Sequence, residues 1–335
     1  MPLLNILGQL RSNEDPRFRE QGFTHSGTGI AERYRRNAGF WDSHLQHNRI
    51  AISDAAHLLG SDIGGTLLVL GAGRLLDIPY VSLFQKFKRV VLLDADFACS
   101  TEQRRLLEQA RLTATEFRAC DLTGTVVDEA AHAQSIIRTS SNPTDAARAL
   151  SAHFLNLEAP MPAWTREFQD VRFVTSSNLL SQLGYFPRTH IMGEFKKRFG
   201  KALDDFPPAS ETLEAYLHRV RSQHVEALTR FPNAGAFLSA DYKVVTYELD
   251  HGLREPPSGA EIQVNEAGES VFKFPVRYTE QSDPLYGQVL RNLWPKDTRL
   301  EGPNRWAWHI IPQGSEKKNL EYGRIHLVEA WIKRP

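Results

Sequence analysis

Apolar positions along this chain follow two alternating patterns. The first is short and apolar on both alternations: "TLLVLGAG", "KRVVLLDAD" and "VRFVTSS" are too brief for a typical helix and lack a polar face. A strand covered on both sides of a parallel sheet reads this way. The second is a helical recurrence of apolar residues among charged ones, seen in "PYVSLFQKF", "STEQRRLLEQARL" and "ASETLEAYLHRVRSQHVEALTRF". The patterns alternate along the chain, with "TEFRACDLT" as the third strand and "GAFLSADYKVVTYEL" as the fifth. Alternating βαβαβ with short connections implies right-handed crossovers and a doubly wound, mostly parallel α/β sheet. The ending, "RWAWHIIPQG" and "GRIHLVEAWIKRP", alternates β-branched and aromatic residues and predicts a C-terminal strand pair.

Around this frame, residues 1–30 predict an irregular or partly helical arm, given the polar, glycine-bearing "EQGFTHSGTG". From Ile30 on, Tyr34, Ala38, Trp41, Leu45, Ile52, Ala55 and Leu58 recur at near-helical spacing, predicting one long helix or two joined ones. Residues 125–170 are polar, mostly helical, and longer than a crossover needs, so they read as an insertion. Residues 251–303 read as loop-rich. The expected organisation is a helical cap or lid over 1–60 and an α/β domain over 61–335, with insertions at about 125–170 and 251–303.

Charge narrows the partners. Forty basic residues balance forty acidic ones, which removes the global electrostatic argument for nucleic acid or an anionic membrane. No apolar run approaches the roughly 20 residues of a membrane helix, and "MPLLNILGQLRSNEDPRFRE" lacks a signal-peptide core. Cys99 and Cys120, the two cysteines, cannot build a disulfide framework or a four-ligand zinc site. They read as reduced thiols in a cytoplasmic protein.

The candidate chemistry begins at "LGAGRLLDIP". Gly71, Ala72 and Gly73 end the first strand, where glycine lets the backbone approach a ligand and the next helix points its N-terminus into the same crevice. The dinucleotide fingerprint needs a third glycine where Leu76 stands, and no Gly-Lys-Ser/Thr of a phosphate loop follows. Asp94 ends the second strand 21 residues after Gly73, where a carboxylate accepts both hydroxyls of a ribose. Asp121 follows the third strand, placed to accept an adenine amine. Helix capping or an Asx turn is the rival reading for each acid. Turn and acids lie in order at three successive strand ends, giving an adenosine-shaped slot.

These segments, with "TSSNLLSQL" and the terminal strand pair, resemble the class I S-adenosylmethionine-dependent methyltransferases over roughly residues 64–335. The resemblance implies a Rossmann-like fold of that type and S-adenosylmethionine as cofactor. The implied donor slot comprises Gly71, Ala72, Gly73, Asp77, Asp94, Ala95, Asp121, Leu122, Ser176 and Asn178. The family's acid before the first glycine is Leu70 here and its third glycine is Leu75, while Asp77 either takes over the acid's role near the methionine amino group or caps the next helix. Ser176, Ser177 and Asn178 are expected to face the methyl-donor position, with Gln182 one turn on, or else to cap the following helix.

Weaker candidates for the reacting centre are Asn178, Tyr242 and His44. Arg33, Arg36 and Arg49 are candidates for the methionine carboxylate, and Trp41, His44 and His47 for a lid over the nucleoside; a solvated basic helix face is the rival reading. His44 and His47 also have metal-ligand spacing but lack further ligands, so no metal is expected. Asp241, Tyr247, Glu248 and His309 are secondary candidates, with strand packing as the rival account for Tyr247 and His309. No G-x-S-x-G, H-E-x-x-H or paired C-x-x-C occurs. The resulting expectation is methyl transfer to a small molecule, with a protein or peptide acceptor as the other option. The alternatives are an NAD(P)-dependent oxidoreductase and a non-catalytic nucleoside-binding scaffold.

Overall fold

The computed structural model describes residues 16–23, 26–60, 63–112, 114–249, 261–273, 276–282, 290–316 and 321–335. Five strands run parallel in the order β3-β2-β1-β4-β5: β1 (Thr66–Leu70), β2 (Arg89–Asp94), β3 (Thr115–Ala119), β4 (Val171–Ser177) and β5 (Gly235–Leu249). A small hairpin, β6 (Ile262–Val264) and β7 (Ser270–Phe272), stands apart, and β8 (Val276–Ser282) pairs antiparallel with the outer half of β5. β9 (Leu300–Ile311) and β10 (Gly323–Lys333) close the sheet. β10 inserts antiparallel between β5 and β9, so the sheet is a doubly wound α/β sheet with an antiparallel C-terminal pair. Strand order reverses between β1 and β4, and open α/β sheets place their ligand crevice at that switch point.

Burial on both faces explains the unbroken apolar strands. Leu67, Val69, Val90, Leu92 and Phe173 pack on one side with Ala51, Ile52, Ala55 and Ala56 of helix α2 (Ser26–His57). Leu68, Leu70, Val91, Leu93 and Val174 pack on the other. The preceding α1 (Pro16–Glu20) is one short turn of helix. α2 is the expected joined pair: Asn37, at φ −122°, ψ 22°, breaks it, and it starts at Ser26 rather than Ile30. Leu58, expected on the apolar face, is 45% exposed at its end.

Short α3 (Tyr80–Phe84) and α4 (Ser100–Gln109) are the first two crossovers. Residues 125–170 hold α5 (Val126–Thr139), α6 (Pro143–Leu155) and α7 (Trp164–Glu167). α5 and α6 share a separate core with α8 (Gln182–Phe199) and α9 (Pro207–Ala227), built on Ile137, Leu150, Phe154, Ile191, Phe195 and Leu217. The segment read as loop-rich contains β6, β7 and β8; β6 and β7 have three residues each, too short for an alternation to register. Residues 1–15 of the arm, and 251–260, 274–275 and 283–289 of that segment, lie outside the described residues. Among the described residues no helix is long and apolar enough to cross a membrane. Cys99 and Cys120 are free thiols, and burial pushes the Cys120 thiol up to about 12.

Candidate functional site

Backbone stereochemistry shapes the floor of the crevice. Gly71 and Gly73 sit at φ 65° and 48°, the left-handed region that costs an L-residue roughly 1–2 kcal/mol. A Cβ on Gly71 would lie 2.7 Å from Leu179 Cδ1. Leu75 is also left-handed, at φ 58°, so the turn keeps the backbone shape of a third glycine under a buried leucine.

Asp94 clasps this turn. Its Oδ2 accepts the Gly73 N–H at 2.7 Å and its Oδ1 accepts the Asp96 N–H at 2.8 Å. An ionised carboxylate has about four acceptor positions, so both oxygens keep capacity for a ligand hydroxyl. Asp94 does not cap α4, whose N-cap is Cys99. Burial pushes its carboxyl up to about 6, against the pull of the Asp96, Gly73 and Ala95 backbone N–H groups.

Asp121 is committed locally. Oδ1 accepts from the Thr123 N–H and hydroxyl at 2.8 and 2.7 Å, and Oδ2 accepts from the Val127 N–H at 3.1 Å, at the start of α5. The turn-and-cap role is therefore realised, although Asp121 still borders the crevice. Asp77 does the opposite. No side chain caps α3, and the Asp77 carboxylate reaches across the crevice to accept from the Ser177 hydroxyl and from Asn178 Nδ2 at 3.0 Å. Burial raises its pKa despite those bonds. Asn178, at φ 50°, turns the chain out of β4, a conformation Asn tolerates well. Its Oδ1 is buried without a hydrogen-bond partner.

α2 forms the roof. Gly27 N–H donates to Asp96 Oδ2 at 2.8 Å, and a Cβ at Gly27 would collide with Cys99 Sγ at 2.3 Å, so only glycine permits this approach. Trp306 Nε1 donates to His44 Nδ1 at 2.9 Å, and His44 stacks on Trp308 with ring centroids 4.3 Å apart. Burial, with His326 and His47 nearby, lowers the His44 pKa to about 3. The ring is thus neutral, and its Nε2 lies 3.3 Å from Asn178 Nδ2.

Three spaces share lining residues here. One of about 110 Å³ is lined by Gly71, Gly73, Asp77, Asp94, Asn178, Trp41 and His44. A smaller one of about 40 Å³, sharing Asp94, Asp96, Leu179 and Gln182 with it, lies between Phe23, Ala95, Asp121, Leu122, Leu183 and Phe186. The first also shares Ile30, Trp41, Asn178, Gln182 and Trp308 with an outer cleft of about 720 Å³. A separate open groove of about 880 Å³ beside Arg219 and Trp294 shares no lining residue with these three.

Other expected residues fall elsewhere. Ser176 points away from the crevice: strand alternation turns it under the sheet, where its hydroxyl pairs with His224 Nε2 at 2.9 Å. Tyr242 lines none of the three spaces, and its hydroxyl donates to the Gly268 carbonyl at 2.9 Å. Arg49 bonds the Leu76 carbonyl; Arg33 and Arg36 both face Glu316. His47 stacks on Trp306, Tyr247 and His309 bond each other in the sheet core, and Glu248 faces Arg277. Among the described residues no group of three His, Cys, Asp or Glu side chains could hold a metal ion.

The structure adds residues that sequence reading passed over. Asp96 was visible in "DAD", two positions after Asp94. Phe23 carried no signal, since it belongs to the arm. His326 had one: in "GRIHLVEAW" the polar Arg324 and His326 alternate with buried Ile325 and Leu327, placing both on the crevice face of β10.

No protein-family model matches the chain, and no curated protein matches its sequence. Among solved structures it is similar to a SAM-dependent methyltransferase from Aquifex aeolicus, with 10% identity, 96% of this chain and 97% of that one covered, and a TM-score of 0.33. It is similar to an S-adenosylmethionine-dependent methyltransferase from Clostridium acetobutylicum at 11% identity, 86% and 90% coverage and a TM-score of 0.31. A glycopeptide N-methyltransferase complexed with S-adenosyl-L-methionine aligns at 10% identity, 84% and 92% coverage and a TM-score of 0.30. Likeness at these scores carries no inference about binding or activity.

Proposed function

We propose that this chain is an S-adenosylmethionine-dependent methyltransferase acting on a small molecule. The observation that carries the reading is the clasp between Gly73 N–H and Asp94 at the ends of β1 and β2, beside the switch point of the sheet. It sets a left-handed glycine turn and a partly free carboxylate at the ends of adjacent strands, the arrangement a ribose and its 5′ substituent require.

The surrounding residues suit the rest of that cofactor. Asp94 would take the ribose hydroxyls, and Phe23, Leu122 and Phe186 would sandwich the adenine beside Asp121. Asp77 and the unpartnered Asn178 Oδ1 would accept from an ammonium group. When bound, S-adenosylmethionine supplies an electrophilic methyl group on a sulfonium sulfur. The chain's own task is positioning and exclusion of water: Trp41 and Trp308 wall the passage between donor slot and outer cleft, and the neutral His44 brings no positive charge to it. Holding reactants in line can supply several kcal/mol of barrier lowering. The outer cleft, at about 720 Å³, has the size of a small-molecule site.

Calorimetric titration with S-adenosylmethionine and S-adenosylhomocysteine tests the reading. Binding of both, weakened tenfold or more by Asp94→Ala, a loss of about 1.4 kcal/mol, supports it. Absence of binding to folded protein removes it.

A further inference from the structure

The outer cleft holds a pair of groups that the donor slot does not use. His326 Nδ1 and Asp241 Oδ2 are 2.9 Å apart, and Asp241 also accepts from the Ser181 hydroxyl. Asp241 is buried and His326 is only partly so, its side chain 17% exposed. The bonds to His326 and Ser181 hold the Asp241 pKa below the usual carboxylate value, against the opposing effect of burial. An ionised Asp241 accepts, so Nδ1 carries a proton and Nε2, which makes no hydrogen bond among the described residues, is left to act as a base.

Charge in the same cleft is uneven. Arg33 pairs with Glu316 and Arg188 with Glu214. Arg324 has no carboxylate partner among the described residues, and its Nε is buried without a hydrogen bond. A buried guanidinium nitrogen left unbonded costs free energy that a ligand anion would recover. Arg324 and His326 are two positions apart on one face of β10, about 7 Å along the strand. Trp41, Tyr185, Phe186 and Trp308 line the walls around them.

We propose that the methyl acceptor is an aromatic hydroxy acid, its carboxylate bound by Arg324 and its hydroxyl deprotonated by His326. This rests on the methyltransferase reading above. The acceptor O–H proton passes to His326 Nε2 as the oxygen forms its bond to the methyl carbon. The carbon–sulfur bond breaks with its electron pair going to sulfur, so the sulfonium of the donor becomes a neutral thioether. Asp241 holds the imidazole and balances the positive charge it gains. 4-Hydroxybenzoate, which carries a carboxylate and a hydroxyl at opposite ends of one aromatic ring, is a suitable probe.

Tryptophan fluorescence of the protein saturated with S-adenosylhomocysteine reads binding, through Trp41 and Trp308. The expected result is saturable binding of 4-hydroxybenzoate, at least tenfold tighter than 4-hydroxybenzyl alcohol, with that difference abolished in R324Q. H326Q should retain the affinity within about threefold while losing 100-fold or more in methylation of the probe, the range of general-base catalysis. Three results overturn the proposal while S-adenosylhomocysteine still binds: equal affinity for acid and alcohol, affinity for the acid unchanged in R324Q, or no binding of either probe. Failure to bind S-adenosylhomocysteine overturns the methyltransferase reading, and this proposal with it.

Discussion

Trp306 donates its indole hydrogen to His44 Nδ1 across 2.9 Å, fixing a buried imidazole in its neutral form. His224 and His309 share that state: burial lowers their pKa values to about 4 and about 3, and that of His44 to about 3. The unfolded chain takes up these protons near pH 6.5 and the native state does not, so their contribution is full above pH 6.5 and is lost as pH falls below it. Each costs about 1.4 kcal/mol per pH unit. Asp94, with its pKa raised to about 6, acts in the opposite sense and offsets part of the loss. Urea unfolding should show a net loss of about 3 kcal/mol between pH 7.5 and 5.5. Equal or greater stability at pH 5.5 would contradict this account of the histidines.

The same Asp94 carboxyl should govern donor binding. Ribose hydroxyls donate to the ionised form, so affinity for S-adenosylhomocysteine should be flat above pH 7. It should fall through about pH 6 toward tenfold per unit below it. Calorimetry at pH 7.5, 6.0 and 5.0 checks this, and Asp94→Ala should flatten the profile.

The proposed donor site puts Asp77 at the amino-acid end of the ligand and not at the nucleoside. Asp77→Asn places a donor where Ser177 and Asn178 already donate. S-adenosylhomocysteine should bind tenfold or more weakly to this variant, with adenosine affinity unchanged within twofold. Equal weakening of both would mean that Asp77 only shapes the turn.

Gly71 and Gly200 separate backbone cost from site geometry. Both are left-handed, at φ 65° and 69°, but a Cβ meets Leu179 at 2.7 Å in the first and nothing within 4 Å in the second. Each alanine variant should lose about 1–2 kcal/mol of stability by chemical unfolding. Only G71A should also weaken S-adenosylhomocysteine binding, by tenfold or more, because Leu179 lines the slot. A similar loss of affinity in G200A would refute the steric argument.

Much of this site was legible without coordinates. Short apolar runs, helical periodicity and the Gly71, Gly73, Asp94 order are local signals, and the structure places those three residues together at one sheet edge. Asp121 was legible in position but not in role, since its own turn and the start of α5 engage both oxygens. Ser176 and Ser177 show the limit of local reading. One residue of register sends Ser177 to Asp77 and Ser176 beneath the sheet to His224, and nothing in "TSSN" says which.

By itself the sequence determined the types of the long strands and helices and the strained glycine turn, because periodic burial and backbone stereochemistry act over a few residues. Tertiary structure alone decided the long-range partners. β10 inserts between β5 and β9, and that pairing brings His326 to Asp241 from 85 residues away and Trp306 to His44 from 262. Such contacts depend on strand order and on the packing of α2 against the sheet, which no local pattern encodes.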